Sequence, residues 1–455
     1  MSRRVSAGAD LPKRSVGALV AAAAVPFVFL HISFQPSVSL TIGGSTAHAY
    51  LSDFAVLAVV AAAVAAGFGQ GWRPLAPARS IWLTAGAFLV WLVASLAWGR
   101  HASSAYPVTT HAITAAKYVE YALLAPALAL LLRARRDVVV LLWSVAAWSA
   151  AASVVGVAQF FGASIFSAAN PGSRQGSFLS ISDWAALSAA TLLVALAGIA
   201  LPRLGLSRAL VAVAAVAGVL GVTVAAAVAS ILGIATAAAA LLGVSLGAGG
   251  RLSWERTLGL AALVGVVGVG VLAYRGGDLE SFARFVGAAS ESSSSQKTVQ
   301  TYSHHTLLVW IGLEIWKDHP VVGAGWQASE DPATFEPYLA EAHRRFPTEP
   351  PKAFPSPTRL YGVQNAWVQT LSDLGVVGFA LLVAMFVAVL RCAWRATRAV
   401  LDPAAPIGLA WTVLAGWLLA AQGLVAGIPL DAIVWLGFGL VAVGAARARD
   451  WVTVD

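Results

Sequence analysis

Charge is what this chain has least of. Aspartate, glutamate, lysine and arginine make up 11% of its 455 residues, against about a quarter in ordinary soluble domains, while apolar residues reach 59%. That balance excludes a water-soluble globular fold. Cysteine is nearly missing: Cys392 stands alone, so no disulfide within the chain can staple a segment. The eight histidines show no His-x-His or His-x-x-x-His spacing, so no metal centre is expected. Nothing resembles a glycine-rich phosphate loop, which argues against a nucleotide-sugar site. There is no internal repeat and no long low-complexity tract; Ser290 to Ser295 is only a short flexible patch. No cofactor is expected.

What the chain does have is long apolar runs, each near the roughly 20 residues that a helix needs to cross a bilayer. Twelve candidate spans centre near Ala23, Val60, Leu89, Leu123, Ala147, Leu192, Ala214, Thr236, Val266, Leu381, Leu414 and Phe438. The run Val211–Leu246 has no polar break and is too long for one span, so a turn is predicted at Ala227–Ser230. Arginine and lysine concentrate in cytoplasmic loops. With twelve spans and a cytoplasmic N-terminus, eighteen of the 29 basic residues fall inside, among them Arg73, Arg133, Arg203, Arg256, Arg391 and Arg447. The expected topology has both termini cytoplasmic. The net charge of +8 is then an orientation signal beside anionic lipid headgroups, with no nucleic-acid partner implied. Arg3, Arg4 and Ala47-His48-Ala49 resemble a secretory signal, but with eleven further spans an uncleaved first helix is expected.

All eight histidines lie outside the spans or at their outer ends in this topology. Two readings stand: proton transfer at an outer-face site, or the general avoidance of spans by polar residues. Ionisable groups inside spans are costly and default to functional candidates. Lys117 and Glu120, three apart on a helix, share a face. They form either an internal pair or the wall of an outer cavity that receives an anion. Arg174, in Gly172-Ser-Arg174-Gln-Gly176, can supply a bidentate phosphate contact.

Between Arg275 and Tyr361 lies the one long polar interruption. Thr306–Lys317 reads as a helix, ended by Asp318-His319-Pro320-Val-Val-Gly323-Ala-Gly325-Trp326. A second helix is predicted over Pro337–Arg345, closing on the basic cluster His343-Arg344-Arg345. A proline-rich stretch, Pro347 to Pro357, and Arg359 lead to Gln364-Asn365. There Asn365, Gln369 and Asp373 recur every four residues as a polar stripe. The chain thus divides into an N-terminal bundle (1–274, about nine spans), a large extracytoplasmic segment (275–365) and a C-terminal bundle (366–455, about three spans).

These segments resemble the O-antigen ligase and polymerase superfamily of polytopic glycosyltransferases. Asp318-His319-Pro320-Val-Val-Gly323-Ala-Gly325 is similar to the family's HPLLGxG segment, and Gln364 to Gly378 to its HNxxLQxLxExGxxG segment. Leu51-Ser52-Asp53 and Arg174 to Phe178 match two earlier motifs. Two positions depart: Gln364 stands where the family has its proposed catalytic histidine, and Ala229-Ser230-Ile231 lacks the family's arginine. The resemblance implies an all-α, GT-C-like polytopic membrane protein in the cytoplasmic membrane. It implies metal-independent transfer of a glycan from a polyprenyl-pyrophosphate donor to a glycan, lipid or protein hydroxyl. Candidate catalytic residues are His343, His319 and Asp373, with the His304-His305 pair able to stand in for the missing histidine. Candidate substrate-binding residues are Lys117, Arg174, Arg344, Arg345, Arg359, Gln364, Asn365 and Trp326. Two alternatives are another polyprenyl-phosphate-sugar transferase, with an acidic base at Asp53 or Asp183, and a transporter or flippase.

Overall fold

The computed structural model describes residues 16–167, 170–247, 253–285, 301–399, 402–424 and 429–452. The Ser290–Ser295 patch and the basic residues Arg3, Arg4, Lys13 and Arg14 lie outside the described residues. The first helices are α1 (Val16–Val28), α2 (Leu51–Gln70), α3 (Arg79–Ala102), α4 (Val108–Ala122) and α5 (Leu124–Leu131). They are followed by α6 (Arg135–Phe160), α7 (Ile181–Ala200), α8 (Arg208–Ala225), α9 (Val228–Gly247) and α10 (Trp254–Phe285). The last five are α11 (Thr301–Asp318), α12 (Pro332–Arg345), α13 (Ala366–Ala399), α14 (Ala404–Leu419) and α15 (Pro429–Val452).

Among the described residues, nine helical segments are long and apolar enough to cross a membrane, with α4 and α5 running on as one segment, Val108–Leu131. Three shorter apolar helices accompany them: Val16–Val28, Ala404–Leu419 and Ala432–Ala448. The chain is a helical, polytopic membrane protein. The long run Val211–Leu246 breaks at Ala226, which takes a left-handed conformation (φ 49°) between α8 and α9. Helix α7 is the hub: nearly all its side chains are buried, and Trp411 of α14 donates its indole N–H to the Ala190 carbonyl (2.8 Å).

Two elements differ from the sequence expectation. Helix α12 begins at Pro332, five residues before the expected start, so Pro332 takes the first-turn position where a missing N–H costs nothing, and Pro337 lies inside the helix. The second is a β-hairpin, strands β1 (Ser37–Ile42) and β2 (Ser45–Tyr50), paired from Ser37↔Tyr50 to Ile42↔Ser45. Its Gly43-Gly44 turn has φ of 55° and 83°, the left-handed pair that suits the twist of a two-residue hairpin.

The fold's unusual joint lies in α13. Gly375 has φ 68° and ψ −172°, so the helical run is broken there while the chain continues on either side. A broken helix frees backbone groups that lipid cannot satisfy. The turn after α11 satisfies them. Ala324 and Gly325 donate their N–H groups to the Ser372 and Asp373 carbonyls (2.9 and 2.8 Å). In return, Val376 donates to the Pro320 carbonyl (2.9 Å) and Val377 to that of Val321 (3.3 Å). Trp91 of α3 donates its indole N–H to the Leu374 carbonyl (3.0 Å), and Trp98 donates to Val322 (3.1 Å). The buried Asp373 carboxylate accepts from the backbone N–H groups of Gln327 (3.2 Å) and Ser329 (3.0 Å).

A side chain at position 375 would be strained at its positive φ, and its Cβ would overlap the Val321 carbonyl. Gly375→Ala is therefore expected to destabilise by at least the roughly 1–3 kcal/mol of such strain. Gly416→Ala, where a Cβ meets open space, is the control. Thermal unfolding midpoints in detergent check this: the first variant should fall and the second should not.

Candidate functional site

A cavity of about 460 Å³ opens where the ends of several helices meet. Arg174 enters it from the loop before α7, Ser230 from the start of α9, and His305 and Thr306 from α11. Gln364 and Asn365 close it from the chain leading into α13. The remaining wall is largely apolar, built by Ala226–Ala229, Leu232, Trp417 and Leu418.

Each polar group is placed by a local cause. Arg174 donates its Nε–H to the Ala225 carbonyl (2.7 Å), at the C-terminus of α8 where the helix dipole favours a cation. Asn365 caps α13: its Oδ1 accepts the Val368 N–H (3.1 Å), while its Nδ2 donates to the Ala420 carbonyl (3.0 Å). Ala366 donates its N–H to the Gln422 carbonyl (2.8 Å), and Leu424 donates to Gln369 Oε1 (2.6 Å). The start of α13 is thereby stapled to the end of α14. Gln364, half-buried beside that staple, lines the cavity. Position 305 reaches the same space because α11 packs closely on it: a Cβ at Gly312 would stand 2.7 Å from a Val363 methyl.

The neighbouring His304 points elsewhere. It is buried and packs edge-on to Tyr361, with ring centroids 4.8 Å apart. Burial first, and then the nearby His305, push its pKa down to about 4, partly offset by the Ala353 carbonyl. It is therefore neutral at physiological pH.

A second cavity, about 610 Å³, continues along α11. It shares Thr306 and Val309 with the first and adds Trp310, Leu313, Arg345, Phe346 and Thr348. Of the residues singled out from sequence, Arg174, Gln364 and Asn365 thus share one cavity, and Arg345 lies along the adjoining one.

The structure does not gather the others there. Lys117 is paired, with Asp53 of α2 (2.6 Å) rather than with Glu120, and its ammonium sits 5.2 Å from the Tyr50 ring. Trp326 is a core residue: its indole N–H donates to Thr114 (2.9 Å), its backbone N–H to Ser95 (3.0 Å), and its carbonyl accepts from Tyr106 (2.6 Å). Closed in this way, it has no face for a sugar, which corrects the stacking role expected of it. Asp373 is committed to the joint described above. His319 caps the end of α11, half-buried, and His343 is exposed with its ring stacked on Phe354 (3.7 Å). Arg344 is exposed beside Glu341 (3.5 Å), and Arg359 bonds within its own loop, to Ser356 and Pro351 (both 3.4 Å). On sequence alone His305 ranks behind these histidines. The signal for it was its place on the α11 face that also carries Val309 and Leu313.

A carboxylate cluster lies beneath the joint. Asp331 Oδ2 pairs with His111 Nε2 (3.0 Å), and Glu330 lies against Gly362. Burial, and then the carboxylates of Asp373 and Asp331, push Glu330 up to about 8 from its ordinary 4.5. The folded protein thus holds a proton that the unfolded chain gives up. Stability from this group is full below pH 4.5, falls as pH rises through that window, and levels off above 8. Glu330→Gln should flatten that stretch of the profile, with unfolding midpoints in detergent at acidic and mildly alkaline pH drawing together. An unchanged slope would show that Glu330 does not set it.

No curated protein matches the chain. Residues 229–383 match the family model described as O-antigen ligase, a stretch that carries His305, Gln364, Asn365 and the Gly375 joint. That match covers about a third of the chain and supports its resemblance to the O-antigen ligase and polymerase superfamily.

Proposed function

We propose that the protein transfers a glycan from a polyprenyl-pyrophosphate donor to a hydroxyl acceptor at the outer face of the cytoplasmic membrane. The observation that carries this reading is the cavity that joins His305, Arg174, Gln364 and Asn365 against apolar helix ends. The apolar wall suits a prenyl carrier held at membrane level, and the polar residues suit its diphosphate and first sugar. Twelve spans, counting the three shorter helices with the nine longer ones, would put both termini in the cytoplasm and residues 275–365 outside. The spans before and after that segment form the two membrane bundles.

In the proposed reaction the acceptor oxygen attacks the anomeric carbon of the donor glycan. The bond from that carbon to the pyrophosphate oxygen breaks, and its electron pair leaves with the pyrophosphate. His305 takes the hydroxyl proton as general base. Arg174 faces the charge that grows on the leaving group, and donors aimed at developing charge usually lower a barrier more than any other single device. Gln364 cannot act as a base, but its amide can orient a sugar hydroxyl. Asn365 is a positioning residue, since its amide already caps α13 and holds α14. His343, His319 and Lys117 stay outside this scheme.

The test compares surface glycans and lipid-linked intermediates in a strain lacking the protein and in strains complemented with variants. Deletion should remove a glycan and accumulate its lipid-linked precursor. His305→Ala should lower the rate of transfer about 100-fold or more, the usual contribution of a general base. Arg174→Gln should do comparable damage, whereas His343→Ala should transfer normally. Wild-type transfer by His305→Ala would refute the assignment.

A further inference from the structure

The second cavity has a chemistry unlike that of the first. Its floor is the α11 face Thr306, Val309, Trp310 and Leu313, and its opposite wall is Arg345, Phe346 and Thr348 at the end of α12. Trp310 is half-buried, so one part of the indole is fixed while another faces the cavity. Phe346 meets it edge-on at 6.0 Å, which holds the indole plane, and the Arg345 guanidinium lies 6.0 Å from the ring. Among the described residues, no carboxylate lines this space.

A pyranose ring presents an apolar C–H face and a rim of hydroxyls. An anchored indole answers the first, and a guanidinium and threonine hydroxyls answer the second. A lining of this kind, basic and without a carboxylate, favours neutral or carboxylate-bearing sugars over amino sugars with a free ammonium. At about 610 Å³ the space lies within the range of cavities that bind small ligands. Thr306 and Val309 line both cavities, so a glycan can run from one to the other without leaving the protein surface.

We propose that the Trp310–Arg345 cavity is a glycan subsite, holding sugar units next to the one that reacts in the His305 cavity. This rests on the glycan-transfer reading above and adds where the sugars beyond the reacting unit lie. The subsite binds and does not react, so its loss should appear in KM and not in kcat.

The probe is the lipid-linked glycan that accumulates in the deletion strain, extracted and added back to membranes containing the full chain. Trp310→Ala should raise KM about tenfold with kcat little changed. Trp310→Phe, which keeps an aromatic face, should restore most of the affinity and controls for folding. Arg345→Ala should raise KM by a smaller factor. An unchanged KM in Trp310→Ala, with transfer abolished in His305→Ala, would overturn the subsite and leave the transfer reading standing. Equal damage from Trp310→Phe and Trp310→Ala, on kcat as much as KM, would make Trp310 a packing residue and also overturn it. Wild-type transfer by His305→Ala would strike only at the base assignment, whereas no transfer by the wild-type chain would strike at the transfer reading, and the subsite would fall with it.

Discussion

A backbone amide taken out of water must find its partner within the protein, and the fold turns on one place where it does so without a continuous helix. At Gly375 the long apolar run of α13 breaks, and the turn at 320–325 fills the gap with four backbone hydrogen bonds. Removing the break would leave the turn unpaired, and removing the turn would leave the break unpaired. Either loss carries the cost of unpaired backbone groups. The indoles of Trp91 and Trp98 do the same for two carbonyls on either side. The polar segment after α10 is thereby tied to a membrane helix in the middle of its own length. This fixes the direction in which α11 leaves the joint, and α11 carries both His305 and Trp310.

Charge is handled by the same rule. Lys117 meets Asp53 across two helices, His111 meets Asp331, and Arg447 is clamped between Asp402 and the Leu132 carbonyl. Each pair joins elements distant in sequence, and breaking such a pair typically costs more than forming it gains. They secure packing first. Arg174 donates one N–H to the end of α8 and lines a cavity whose other described polar members are amides, hydroxyls and an imidazole. An anion arriving there meets no carboxylate among the described lining residues.

Much of this was legible in the residues. Apolar run length located the nine helical segments long enough to span among the described residues, and the excess length of Val211–Leu246 demanded the turn that Ala226 provides. Arg174 stands out as a cation in a loop, Gln364 and Asn365 through the motif that leads into α13, and one cavity brings them together. The hairpin was also written plainly, as alternating Ser-Val-Ser-Leu-Thr-Ile before Gly43-Gly44, but a search for apolar runs long enough to span passes over a period of two. Other features depended on distance. Nothing near Lys117 in sequence points to Asp53 as its partner, because Glu120 is the local choice. Trp326 looked available for stacking because its turn is polar, whereas the turn drives it inward between Ser95 and Thr114. Asp373 read as one member of a stripe, and its partners turned out to be backbone amides of a loop far earlier in the chain, at Gln327 and Ser329.

In the proposed reaction the departure at Gln364 has a geometric resolution. Positions 305 and 364 belong to different elements, yet both line one cavity because the small Gly312 lets α11 settle against Val363. A base moved from one wall to the other would still face the same reacting atoms, and the amide left behind would keep a hydrogen-bonding role. The adjacent histidine does not compete. His304 turns into the packing beside Tyr361, where burial keeps it neutral, so its neighbour is the imidazole of the pair that meets the cavity. On a helix, consecutive residues diverge by about a hundred degrees. A His-His pair at this place therefore divides into one ring that holds the α11 segment to the Tyr361 loop and one that lines the cavity. In the proposed reaction the first is what keeps the second in position.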